Sequence, residues 1–146
     1  MAYLVDTNIF IRLANRNDPM RQLVLDSLRK LRSRDEILCY TPQILSEFWN
    51  VCTRPPESRG GLGLSPEQTE RKVRLIERYF VLLPDGLATF REWRTLVVSH
   101  SLVGLAVHDA KIVASMHVHS VTNLLTLNDA DFKRYASINV VSPNDL

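Results

Sequence analysis

Cysteine, glycine and lysine are all scarce in this chain. Cys39 and Cys52 are its only cysteines. They form no CxxC pair and have no histidine at zinc-finger spacing, so neither a structural zinc site nor a disulfide framework is expected. Both read as reduced, buried, small hydrophobes of a cytosolic protein. The few glycines include a Gly60-Gly61-Leu62-Gly63 run, but no strand feeds it and no Gly-Lys-Ser follows. That excludes a phosphate-cradling loop. No apolar run approaches the ~18 residues of a membrane span. Asp6 stands where a secretory leader would be apolar. These absences predict a cytoplasmic protein with no membrane partner. Of 18 cationic residues only Lys30, Lys72, Lys111 and Lys133 are lysines. Arginine suits bidentate contact with phosphate or carboxylate, and equally suits surface salt bridges. A net charge of +2 permits a nucleic-acid partner without requiring one.

What the chain does have is an ordinary globular balance, 45% hydrophobic and 23% charged, in a length that supports one core. A single domain over 1–146 is expected. Short apolar runs alternate with amphipathic stretches, the pattern of an α/β fold with a parallel sheet flanked by helices. Expected strands are Tyr3–Val5, Ile37–Tyr40, Val81–Leu83, Asn123–Leu125 and Asn139–Val141. Expected helices are Ile9–Asn15, Met20–Leu31, Pro42–Thr53, Pro66–Tyr79, Ala88–His100 and His108–His119, with a short turn near Asp129–Tyr135. Ser65, Pro66 and Gln68 supply a capping box at one helix start. Arg54–Leu64, with two prolines and three glycines, is the one long irregular loop. Segments of that kind serve as functional loops or as plain connectors.

The informative feature is a set of acids in unexpected places. Asp6 ends the first apolar run, where open α/β sheets hold ligand-contacting groups. It could equally cap the next helix, with Thr7 or Asn8 sharing that work. Glu47 lies in the same stripe as Ile44 and Val51, not opposite it. Asp109 opens the face that carries Ile112, Val113 and Met116. Burying an unpaired carboxylate costs several kcal/mol or more. Three remedies are available: a cationic partner, helix capping by Asp109, or a bound cation such as Mg²⁺, which prefers oxygen ligands. Thr126-Leu127-Asn128-Asp129-Ala130-Asp131-Phe132 adds oxygen-bearing side chains after a fourth apolar run. Locally that stretch also reads as a turn with Asn128 capping a short helix.

Together these motifs resemble a known family. Asp6-Thr7-Asn8 after a strand, Ser46-Glu47-Phe48 on a helix, His108-Asp109-Ala110 opening another, and Thr126-Leu127-Asn128 with Asp131-Phe132 are similar to the PIN-domain nucleases. Their order and spacing are most similar to the VapC-type toxins of toxin–antitoxin pairs. The resemblance covers nearly the whole chain. It implies a three-layer α/β/α fold with a central, mainly parallel sheet of about five strands, and a Mg²⁺- or Mn²⁺-dependent endoribonuclease. Position by position, it makes Asp6, Glu47 and Asp109 the metal-binding, catalytic acids. The family's fourth acidic position falls on Asn128, which leaves open whether one or two ions bind. Asp131, or else Asp129, would supply the missing charge through water. Thr126 would hydrogen-bond within the site and Asn8 would orient Asp6. The resemblance further implies an RNA substrate, a homodimer and a separate antitoxin protein.

Other readings stay on the page. A nucleic-acid-binding module that has lost turnover fits Asn128. A haloacid-dehalogenase-type phosphatase also starts from an aspartate after its first strand, but needs a second aspartate where Asn8 stands. His108 could touch RNA, although adjacent helix positions diverge by about 100°. Arg29 to Arg34 could follow phosphates or simply end a helix with cations. Trp49 and Trp93 could stack bases or pack in the core.

Overall fold

The computed structural model describes residues 1–146. Five strands form one sheet: β1 (Ala2–Val5), β2 (Ile37–Tyr40), β3 (Val81–Leu82), β4 (Asn123–Leu125) and β5 (Asn139–Val141). Their order is β3-β2-β1-β4-β5, and every pairing is parallel. The helices are α1 (Thr7–Ala14), α2 (Arg21–Ser33), α3 (Pro42–Thr53), α4 (Pro66–Tyr79), α5 (Leu87–Ser99) and α6 (Ala106–Val118). The chain steps outward from β1 to β2 to β3, then returns past β1 to β4. Right-handed crossovers in opposite directions place their helices on opposite faces. The packing agrees, with α1 against α2 and α3 in one layer and α5 against α6 in the other. This is the parallel sheet flanked by helices that the alternating pattern predicts, in the three-layer α/β/α arrangement that the resemblance implies.

A sheet covered on both faces buries its central strands completely. Leu4, Val5, Leu124 and Leu125 are accordingly at 0% exposure. The chain runs from β1 to β2 on one side and from β4 to β5 on the other, so the topological switch point lies between β1 and β4. Ligands of open α/β sheets bind beyond the carboxyl ends of the strands at such a point. Asp6 and Thr126 are the first residues past those two strands.

Element edges differ from the sequence expectation for identifiable reasons. α1 starts at Thr7, two residues earlier than its apolar run, because Asp6 caps it through Oδ1. β3 stops at Leu82. Leu83 still donates its N–H to the Tyr40 carbonyl at 2.8 Å, but Pro84 follows and has no N–H to continue the ladder. The turn after β4 is a 3₁₀ segment, Asp129–Phe132, shorter than expected. The Ser65 capping box forms as read, with both reciprocal hydrogen bonds present.

Arg54–Leu64 is a strap folded onto the end of α3. Leu62, Gly63 and Leu64 donate backbone N–H groups to the carbonyls of Val51, Arg54 and Cys52. These bonds satisfy acceptors that the helix end leaves open. Gly61 permits the approach, since a Cβ there would stand 2.4 Å from the carbonyl oxygens of both Arg54 and Pro55.

Candidate active site

Asp6 is held from three directions at the carboxyl edge of the sheet. Its N–H donates to the Leu125 carbonyl at 3.0 Å, pinning the exit of β1 to the end of β4. Its Oδ1 accepts from the Thr7 N–H at 2.7 Å. Its Oδ2 accepts from the Thr126 hydroxyl at 2.7 Å and the Asn8 amide at 3.1 Å. Asp6 therefore is both helix cap and member of the polar cluster, through different oxygens. Asn8 also donates to the Thr126 hydroxyl at 3.1 Å, and its amide oxygen accepts the Leu127 N–H at 3.1 Å. A carboxylate offers about four lone-pair directions, so Asp6 keeps one for a ligand.

α1 packs on α3, and this brings Glu47 to the same place. The Thr7 hydroxyl donates to Glu47 Oε2 at 2.8 Å, and the Gln43 amide donates to Oε1 at 2.9 Å. Gln43 Nε2 also donates to the His108 carbonyl at 3.0 Å, tying α3 to the first turn of α6. Asp109 stands in that turn.

Burial raises the Asp6 carboxyl above its ordinary value, against the pull of its hydrogen bonds, and the charge of Glu47 adds to the rise. Burial also pushes Asp109 up to about 6, with further contributions from the charges of Asp131, Asp6 and Glu47. Arg134 opposes that rise. Asp109 thus lies within the fields of the other three acids. Asp131, and not Asp129, is among the charges that raise Asp109.

Two of the three remedies for buried acids are absent. Asp6, Glu47 and Asp109 form no ion pair. Asp109 does not cap α6, whose N-cap is Leu105 and carries no side-chain cap bond. The remaining remedy is a bound cation, and the donor set fits one: carboxylates, a hydroxyl and amides, with no sulfur or imidazole. The Gln43 amide oxygen beside Glu47 is buried and has no partner. No three acidic or imidazole side chains converge tightly enough to hold an ion directly between them.

This acid cluster at the switch point carries a family signature along most of the chain: the PIN domain model matches residues 3–138. The chain belongs to the PIN-domain family. No curated protein matches it by sequence. Among solved structures, DNA-bound VapBC from Salmonella typhimurium aligns with TM-score 0.70 at 18% identity, covering 98% of each chain. VapBC2 from Rickettsia felis, bound to a promoter DNA fragment, aligns with TM-score 0.70 at 16% identity over 97% of this chain and 98% of that one. A sarcin-ricin-loop-cleaving VapC toxin from Mycobacterium tuberculosis aligns with TM-score 0.60 at 14% identity over 84% and 86%. At such identities the likeness is one of fold.

In this PIN domain the Asn128 side chain is exposed and makes no cap hydrogen bond, although the residue precedes the 3₁₀ turn. Its backbone N–H instead donates to the Thr126 hydroxyl at 3.0 Å. Asn128 thus holds the N-cap position of the turn, as read, but without a side-chain cap bond. Asp131 is exposed at the rim. The residues that sequence reading did not single out for the site are Thr7, noted only as a helix cap, and Gln43. The i,i+4 spacing of Gln43 and Glu47 was the available signal.

Proposed function

We propose that this PIN domain, taken as one unit over 1–146, is a Mg²⁺-dependent endoribonuclease, with Mn²⁺ as substitute, and the toxin of a toxin–antitoxin pair. The carrying observation is the cluster of Asp6, Glu47 and Asp109, which has no ion-pair partner and in which burial and neighbouring acids raise Asp6 and Asp109. Family membership and the VapBC likenesses support the reading.

Asp6, Glu47 and Asp109 would hold the cation. When bound, it supplies Lewis acidity toward a phosphate and lowers the pKa of water. The protein's own part is alignment. Thr126 and Asn8 fix the Asp6 carboxylate, while Thr7 and Gln43 fix that of Glu47. Asp109 makes no side-chain hydrogen bond within the cluster, and without the cation burial pushes its carboxyl up to about 6. Asp131 adds charge at the rim through water. The product ends would be a 5′-phosphate and a 3′-hydroxyl.

The VapBC likenesses support a separate antitoxin partner, and the working form we propose is a cytoplasmic homodimer silenced by it. The second reading, a binding module without turnover, is favoured by one observation: Asn128 stands at an acidic position of the family pattern. Cleavage of structured RNA with Mn²⁺, by wild type beside Asp109→Asn purified identically, decides between them. Cleavage by the wild type alone supports the nuclease. Absence of cleavage across several RNAs, with RNA still bound, favours the binding module.

A further inference from the structure

A second cluster of reactive side chains lies away from the acids. His117 sits in the last turn of α6, about 12 Å along the helix from Asp109. Its Nδ1 stands 2.9 Å from Glu92 Oε1 on α5, and its Nε2 stands 2.7 Å from the Ser137 hydroxyl. Ser137 comes just before β5, at the amino edge of the sheet, opposite the edge that carries Asp6. Three segments of the chain therefore meet at one imidazole.

Each contact has a defined sense. An ionised carboxylate only accepts, so Glu92 draws the proton of a neutral imidazole onto Nδ1. Nε2 is then an acceptor, and the Ser137 hydroxyl donates to it. This is the order that takes a proton from a serine: hydroxyl, base, and a carboxylate that orients the base. The side chains of His117 and Glu92 are 26% and 34% exposed, so neighbours hold the ring, while Ser137 is open to approach. The serine also stands on a turn, closed by the Ile138 N–H donating to the Tyr135 carbonyl at 3.3 Å. Such a turn joins only its first and fourth residues, and the N–H groups of Ala136 and Ser137 donate to no carbonyl. The N–H of the nucleophile's own residue is a donor that can meet a developing oxyanion.

We propose that Ser137 is a nucleophile of esterase type, with His117 as its general base and Glu92 as a positioning residue, acting on small carboxylic esters. Ser137 Oγ bonds to the acyl carbon while its proton passes to His117 Nε2. The ester C–O bond breaks, and the leaving alcohol takes that proton. Water then attacks the acyl-serine and gives a proton to His117. The bond to Oγ breaks, Oγ recovers the proton, and a carboxylic acid departs. The reaction uses none of Asp6, Glu47 and Asp109, so it stands or falls independently of the ribonuclease reading.

Two readouts on the full chain in EDTA test this. One is release of nitrophenol from p-nitrophenyl acetate. The other is peptide mass spectrometry after treatment with a fluorophosphonate, whose phosphorus bonds to Oγ as fluoride leaves. The adduct is expected on Ser137, and Ser137→Ala is expected to lose both the adduct and the ester hydrolysis. His117→Gln is expected to slow both by about a hundredfold or more. Glu92→Gln can still hydrogen-bond Nδ1 but no longer forces the proton onto it. Both rates should therefore fall about tenfold or more while the melting temperature holds. Equal hydrolysis by wild type and Ser137→Ala overturns the proposal. So does an adduct that forms equally fast in His117→Gln, which would mark an ordinary exposed serine. Absence of any adduct on Ser137, with a lower melting temperature in Ser137→Ala, overturns it too and assigns the three residues to a tie between α5, α6 and β5.

Discussion

The Thr7 hydroxyl donates to the Glu47 carboxylate at 2.8 Å, across 40 residues of sequence. One hydrogen bond thereby aligns an acid on α3 with the first turn of α1, whose cap is Asp6. Valine has the same shape and lacks the donor. Thr7→Val is expected to lower RNA cleavage about tenfold and to cost about 1–3 kcal/mol of stability as a lost bond to a charged group. Single-turnover rates with Mn²⁺, beside a urea melt, check both. Full activity would show that Glu47 needs no alignment from α1.

The acids themselves behave differently. Asp6→Asn, Glu47→Gln and Asp109→Asn are each expected to reduce cleavage by roughly a hundredfold or more, since on the proposed reading they would remove the ion's ligands. Without metal their melting temperatures stay level or rise, because each variant loses a charge, buried at Asp6 and half-buried at Glu47 and Asp109, that no cation offsets. A large fall in all three melts would mean that the acids are structural partners instead.

Stability without metal depends on pH through Asp109. Its folded carboxyl sits at about 6 against an ordinary 3.8. As pH rises, the unfolded chain therefore loses this proton first. Between those values the folded state binds more protons, so stability falls with rising pH and the loss is complete above the folded pKa. Asp6 acts in the same direction. Urea midpoints taken from about pH 4 to about pH 7 in EDTA should fall for the wild type relative to Asp109→Asn. Adding Mg²⁺ should oppose the trend, because the ion binds ionised acids. Parallel curves for the two proteins would show that Asp109 is not held in this field.

The strap over α3 makes a prediction about fold alone. Gly61→Ala drives a Cβ against two backbone carbonyl oxygens and is expected to cost about 1–3 kcal/mol or more. Gly60→Ala meets no atom within 4 Å but keeps φ at +72°, so it should cost about 1 kcal/mol. Denaturant midpoints rank the two. Equal losses would mean that the strap moves aside freely.

Much of this was readable from the residues because buried parallel strands are continuous apolar runs. Leu4–Val5 and Leu124–Leu125 announce themselves that way. The start of α1 was harder, since Asp6 caps the helix and joins the acid cluster at once. Either role by itself explains an aspartate at a strand end. Thr7 and Gln43 were missed for a related reason: polar residues at helix starts read as caps, and only the packing of α1 on α3 reveals what they hold. Strand order was beyond local reading altogether, because the pairing of β1 with β4 joins residues far apart in the chain. The switch point, and with it the meeting of Asp6 with Thr126, depends on that pairing.

Thr126 follows Asp6 by 120 residues, and this separation has a temporal meaning. A ribosome makes the amino end first, so Asp6, Glu47 and Asp109 all emerge before the hydroxyl that holds Asp6 in place. Until β4 has docked beside β1, the aspartate lacks both that hydroxyl and the Leu125 carbonyl that anchors its backbone. A nascent chain therefore carries its acids unassembled past the machinery that is making it. The cluster around Asp6 is complete only when the sheet closes.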